Sequence, residues 1–155
     1  MIKYQNLISI HAKSFSWAGF FLPKETFKKC SILYDFCRTI DDIADEDSDL
    51  AVKKKKFTEF ELNFKKKNLS NSIIKNICEL IEQKNISKKI IEDLFDGVKS
   101  DLKLSVVLEN QKELLVYSYR VAGTVGLMMA KIFKVKDVFA LKCAIDLGIA
   151  MQLTN

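Results

Sequence analysis

Pro23 is the only proline in 155 residues, and just five glycines accompany it. These two residue types most reliably interrupt regular backbone, so this chain carries few breaks. Between the breaks, apolar residues recur three and four apart, and nowhere is there a sustained strand-like alternation. No internal repeat or flexible linker divides the sequence. Its length is enough for one domain with a real core. The expectation is a single all-α domain over residues 1–155.

Pro23 suits the first turn of a helix, and the pattern predicts one from there to about Asp45. The acidic stretch Asp45 to Asp49 reads as a connection. Phe57, Phe60 and Phe64 then mark the inward face of a lysine-rich amphipathic helix. Ser70 or Ser72 is placed to cap a helix carrying Ile73, Ile77, Leu80 and Ile81. Ser87 is placed to cap another carrying Ile90, Ile91, Leu94, Val98 and Leu102. A further helix is predicted from about Lys112 to Phe133. The last starts near Val138 and meets no C-cap glycine, proline or basic last turn before Asn155, so the pattern predicts a helix that continues in a longer chain.

The formal net charge of +5 comes largely from two runs, Lys53 to Lys56 and Lys65 to Lys67. Such runs are most often solvated helix faces. No aromatic-interleaved basic motif points to nucleic acid, which is not expected as a partner. Cys30, Cys37, Cys78 and Cys143 form no CxxC pair and no Cys/His cluster, so zinc and a disulfide scaffold fail on spacing. Isolated thiols in helical patterns are expected to be buried and suit a reducing cytoplasm. No run approaches the roughly 20 apolar residues of a membrane span, and the N-terminus lacks a signal peptide's apolar stretch. A cytoplasmic location is expected, with peripheral attachment to the inner face of the membrane left open.

The stretch "YDFCRTIDDIAD" (residues 34–45) places charge inside an apolar helical pattern. With Tyr34 at zero on a helical wheel, Arg38 falls at about 40°, Asp41 at about −20° and Asp45 at about 20°. Phe27 and Cys30 precede them on the same stripe, which predicts an inward face. Asp42 falls aside at about 80°. A wet helix end is the plainer reading. Against it, carboxylates near a helix C-terminus meet the negative end of the dipole, and two at i and i+4 repel. A divalent cation would relieve both penalties; oxygen ligands with substrate phosphates are how Mg²⁺ is usually held, and Arg38 could fork onto a phosphate. Spacing alone leaves the two readings level.

Three other stretches are ambiguous in the same way. His11, Lys13 and Ser14 stand before an aromatic run and are either exposed or able to donate to an anion. Gly123 and Gly126 inside a helical pattern cost up to ~1 kcal/mol each relative to alanine. They mark either close helix packing or a bare surface over which a long ligand passes, with Val121, Ala122 and Val125 lining it. Gly148, Gln152 and Asn155 share one stripe, either as polar surface or facing the same cavity as the aspartates.

Taken together these stretches resemble the squalene and phytoene synthase family, the head-to-head prenyl synthases. "HAKSFS", "YDFCRTIDDIAD", "DGVKSDL", "YSYRVAGTVGLMMAKIFKVKD" and "AIDLGIAMQLTN" follow one another in the family's order along the whole chain. The last two are the most specific and are worded more like bacterial phytoene synthases than squalene synthases. The resemblance implies an all-α, isoprenoid-synthase-type bundle around a central cavity, incomplete in this chain. It implies that residues 1–155 are the N-terminal part of a longer domain.

It further implies a reaction. Two geranylgeranyl diphosphates condense head to head through a cyclopropyl diphosphate to phytoene, a step of carotenoid biosynthesis. Squalene or dehydrosqualene synthesis from farnesyl diphosphate, or a non-catalytic relative, are the alternatives. Asp41 and Asp45 would hold Mg²⁺ (Mn²⁺ as the alternative) against a diphosphate. Arg38, Tyr34, His11 and Ser14 would contact diphosphate or the reacting end. Tyr117 would sit near the developing carbocation. Val121, Ala122, Val125 and Gly126 would line the prenyl tunnel. Gln152 and Asn155 would belong to the second metal-binding helix, with Asn155 a ligand. Inward aromatics, Phe15, Phe20, Tyr34 and Tyr117, would face the cation, with Phe15 among the substrate contacts. Two departures stand out. Ala12 occupies a position where many members carry a hydroxyl, and the family's second aspartate-rich motif, one turn beyond "QLTN", is not within these residues. The 155 residues alone are therefore expected to be inactive.

Overall fold

The structure, a computed structural model, describes residue 17, residues 19–103 and residues 108–154. His11, Ser14, Phe15 and Asn155 lie outside the described residues. Among the described residues there is no strand. The elements are α1 (Lys24–Asp45), α2 (Leu50–Lys65), α3 (Ser72–Lys84), α4 (Lys88–Asp101), α5 (Gln111–Ser118), a π-helical turn (Tyr119–Gly123), α6 (Thr124–Ile132) and α7 (Val138–Thr154). The bundle is all-α, as expected. Among the described residues no helix is long and apolar enough to cross a membrane.

Pro23 stands immediately before α1 and needs no amide partner there. The residue that starts α3 is Asn71, not a serine: its side chain accepts from the backbone N–H groups of Ile73 (3.0 Å) and Ile74 (3.2 Å). Ser70 instead donates to the Asn68 side chain at 2.6 Å, and Ser72 is already helical. Asparagine and serine are nearly equal as caps, so the sequence could not rank three adjacent candidates. Ser87 caps α4 as predicted, accepting from Lys89 N–H at 3.3 Å. Asn85 ends α3 with a φ of 48°, the left-handed stop that asparagine tolerates.

Two packing centres hold the bundle. In the first, α1, α2, α3 and α4 meet around Phe95. Its ring lies 5.4 to 6.5 Å from those of Phe36, Phe57, Phe60 and Phe64, with edge-on contacts to Phe36 and Phe57. Leu33, Phe36, Ile40, Ile74, Ile77, Leu80 and Ile91 are almost wholly buried in this cluster. The second centre is the seam of α5, the π turn and α6 against α7. Glycines set its closeness. A Cβ on Gly148 would run into the Ala122 carbonyl, and one on Gly126 into the Ala144 carbonyl. The close-packing reading therefore holds for Gly126, and Gly123 likewise lies close to Ile145 of α7; Gly148, expected on a polar stripe, is a packing glycine too.

The predicted helix over 112–133 runs from Gln111 to Ile132, with one wide turn at its middle. The Thr124 amide reaches back five residues to the Tyr119 carbonyl, inserting one extra residue. The lysine runs are exposed, as expected, except for half-buried Lys53, and partly paired: Lys56 with Glu46 at 2.6 Å, Lys67 with Glu82 at 2.7 Å. Two expectations fail. Cys143 is exposed on α7, whereas Cys30 and Cys78 are buried and Cys37 partly so. Phe20 does not face inward; it is 84% exposed and stacks edge-on with exposed Phe21 at 5.7 Å. An apolar residue in a short pre-helical segment has no periodicity to say which way it faces.

Candidate functional site

α1 positions the first part of the site. Its core contact is made by Leu33, Phe36 and Ile40, a stripe about 100° or more round the helix from Tyr34. Tyr34 and Arg38 are consequently half-buried at the edge of that contact, and Asp41 and Asp45 are exposed. This corrects the inward face expected for them. Cys30 is buried on the neighbouring flank, so it marked the core only approximately.

Arg38 pairs with Asp42, Nη2 to Oδ1 at 2.7 Å, both side chains half exposed. Its Nε is buried with no hydrogen-bond partner. Asp42, set aside by the wheel, thus has a function within the stripe: it holds the guanidinium that the sequence reserved for a phosphate. Asp41 is crowded. Although the residue is exposed overall, desolvation of its carboxyl and then the Asp45 charge push its pKa up to about 6, with Arg38 opposing and Asp42 and Asp101 adding. Desolvation is the larger cause, and the repulsion expected of two carboxylates one turn apart adds to it.

Across from α1, Tyr117 of α5 donates to Asp101 Oδ2 at 3.1 Å. Burial, then the charge and hydrogen bond of Asp101, with Asp41 and Asp45 behind, push the Tyr117 phenol up to about 12. Asp101 is itself raised by burial and by Asp45, against the Tyr117 hydrogen bond. These mutual shifts bring Asp41, Asp45, Asp101 and Tyr117 into one electrostatic neighbourhood, drawn from α1, α4 and α5. Cys37, one turn before Asp41, has its thiol raised by burial and by that aspartate.

The π turn arranges the apolar side. Val121 and Val125 are partly buried and pack against the main core. The backbone of Ala122 lies on Gly148 of α7, and Gly126 on the backbone of Ala144. Gln152 is half-buried one turn after Gly148. A second polar set braces the π turn from outside the site: Tyr119 donates to buried Asp93 at 3.3 Å, and Lys89 pairs with the same carboxylate at 2.7 Å. A cavity of about 640 Å³ opens elsewhere, between α2, α3 and α4, and none of the site residues named here lines it.

The donor set fits a hard cation in part. Asp41 and Asp45 offer oxygen ligands only, as Mg²⁺ prefers, and the Asp45 charge is the second cause, after desolvation, of the raised Asp41. Among the described residues no three His, Cys, Asp or Glu side chains converge as a ready metal site.

Residues 8–155 match the squalene/phytoene synthase family. The chain belongs to this family. It is 28% identical to the 15-cis-phytoene synthase of Pantoea ananas over 96% of its own length and 52% of that protein's. It is likewise 28% identical to the 4,4'-diapophytoene synthase of Staphylococcus haemolyticus, over 94% and 52%. A crystal structure of a dehydrosqualene synthase superposes with a TM-score of 0.78 at 27% identity, over 96% of this chain and 52% of that one. The chain thus spans about half the length of the relatives it matches, and the squalene/phytoene synthase fold is present over that half.

Within this family match, Asp101 is the site residue that sequence reasoning missed. The stretch "DGVKSDL" was recognised as family-like, but nothing in its spacing tied Asp101 to Tyr117, 16 residues on. The usable signal was a carboxylate on the last turn of a helix, where it opposes the dipole and calls for a partner.

Proposed function

We propose that the protein containing this chain is a head-to-head prenyl synthase that joins two geranylgeranyl diphosphates, through a cyclopropyl diphosphate, to phytoene. The observation that carries the reading is the Tyr117–Asp101 hydrogen bond at 3.1 Å, which joins α5 to α4 where the charges of Asp41 and Asp45 on α1 are also felt. Diphosphate departure leaves an allylic cation, so the site must handle strong negative charge at one end and positive charge with little water at the other.

Asp41 and Asp45 would hold Mg²⁺, with Asn155 as a further ligand; the ion would supply Lewis-acid neutralisation of the departing diphosphate. Arg38 exchanges Asp42 for a diphosphate oxygen, using a fork geometry suited to either partner. His11 and Ser14 add donors. Tyr34 and Tyr117 offer electron-rich rings to the cation. Val121, Ala122 and Val125 flank the prenyl chain and exclude water, while Gly126 lets α7 pack closely behind them. Gln152 orients the end of the chain nearest α7, and Phe15 packs on it.

The test is to incubate the complete polypeptide that contains residues 1–155 with geranylgeranyl diphosphate and Mg²⁺ and to look for phytoene. A second reading, dehydrosqualene or squalene synthesis from farnesyl diphosphate, is favoured by the likeness to the diapophytoene and dehydrosqualene synthases. Offering both diphosphates, with and without NADPH, separates the two. A protein that binds neither diphosphate would defeat both.

A further inference from the structure

A phenol has one proton to give. In Tyr117 that proton is committed to Asp101 Oδ2, at 3.1 Å. It is therefore not offered to a diphosphate oxygen. What remains on the oxygen is lone-pair density, and donation to a carboxylate enriches it further. Like any tyrosine the phenol is protonated at neutral pH, and burial, then Asp101 on α4, with Asp41 and Asp45 on α1 behind, oppose its ionisation further.

The frame that holds the pair is rigid at both ends. Asp101 is the last residue of α4. One turn earlier, Gly97 is pressed against the π turn so closely that a Cβ there would lie 2.8 Å from Arg120 Cβ and 2.9 Å from Val121 Cγ1. Tyr117 lies two residues before that turn. Two points of contact between α4 and the Tyr117 helix thus fix where the phenol sits. The Asp93–Tyr119 bond adds a third.

Building on the prenyl-synthase reading, we propose that Asp101 is a positioning residue: by taking the Tyr117 proton it turns the phenol so that the oxygen lone pairs, and not the hydroxyl proton, face the reacting end of the prenyl chain. Tyr117 then meets positive charge with its oxygen lone pairs as well as its ring.

The test follows Tyr117 directly. The ring carbon bearing the hydroxyl is observed by ¹³C NMR in tyrosine-labelled protein, with Y117F identifying its signal. In D101N, loss of the carboxylate charge lowers the Tyr117 pKa by about one or more, and D101E preserves the raised value. An unchanged Tyr117 titration in D101N overturns the proposal. Should D101N fail to fold, the unmodified protein decides: a slowly exchanging Tyr117 hydroxyl proton with an NOE to Asp101 supports the contact, and titration at the ordinary tyrosine value of about 10 overturns it. In the complete polypeptide, D101N lowers kcat about tenfold with KM unchanged, and D101E recovers part of the loss. An unaltered kcat would also overturn it. Absence of any product from the unmodified protein would count against the assigned reaction, and the titration would still read the Asp101–Tyr117 contact.

Discussion

The carbonyl of Ala122, in the π turn, occupies the place where a side chain on Gly148 of α7 would begin. Backbone cannot yield as a flexible side chain can. G148A should therefore force α7 away from the π turn and cost about 1–3 kcal/mol, the usual penalty of overpacking. G126A meets the Ala144 carbonyl and should cost a similar amount. Urea denaturation of both variants measures this; near-neutral values would mean that the seam is looser than the geometry shows.

Phe95 makes ring contacts with four other phenylalanines from α1 and α2. F95A removes the shared partner and should cost about 3–5 kcal/mol. L62A, on the exposed side of α2, serves as the comparison and should stay within about 0.5 kcal/mol.

How much of this was legible beforehand depends on what each residue answers to. Phe57, Phe60, Ile90, Leu94 and Val98 obey helical periodicity alone, and the sequence places them correctly. The face of α1 was misjudged because Tyr34, Arg38 and Cys30 flank the true core stripe of Leu33, Phe36 and Ile40, and a wheel cannot tell a flank from a centre. Asp101 and Tyr117 meet only through tertiary packing, to which local pattern is blind. Asn71 was missed for a local reason, three adjacent cap candidates. There, N71A should cost about 1 kcal/mol and S70A or S72A only a few tenths, measured by thermal unfolding of the three variants.

Asp41 carries a raised pKa of about 6 against an ordinary 3.8. Between those values the folded protein binds more protons at this site than the unfolded chain does. Stability contributed here is thus highest at low pH and is lost as pH rises from about 4 to 6. D41N should flatten that slope and leave the protein slightly more stable at pH 7. Solvent exposure of the residue limits the gain to under about 1 kcal/mol. Mg²⁺ should act in the same direction at pH 7, raising the melting temperature of the unmodified protein but not of D41N or D45N, and losing its effect below pH 6. Differential scanning fluorimetry with and without millimolar Mg²⁺ reads both halves. A Mg²⁺ response that survives in D41N/D45N would place the metal elsewhere.

The 2.7 Å pair of Arg38 with Asp42 makes a further prediction about the diphosphate. The guanidinium must leave this partner before it can fork onto a phosphate, so Asp42 competes with the ligand. Both groups are half exposed, and the pair itself is worth no more than about 1 kcal/mol. D42N should therefore tighten pyrophosphate binding by a small factor, about two- to fivefold, as that competition is lifted. R38A should weaken it about tenfold or more, since a charge-assisted fork is lost. R38K should recover only part, because an ammonium cannot present two parallel donors. Calorimetric titration with Mg²⁺–pyrophosphate compares the four proteins. Weaker binding in D42N would show that Asp42 orients Arg38 for the ligand and does not compete with it.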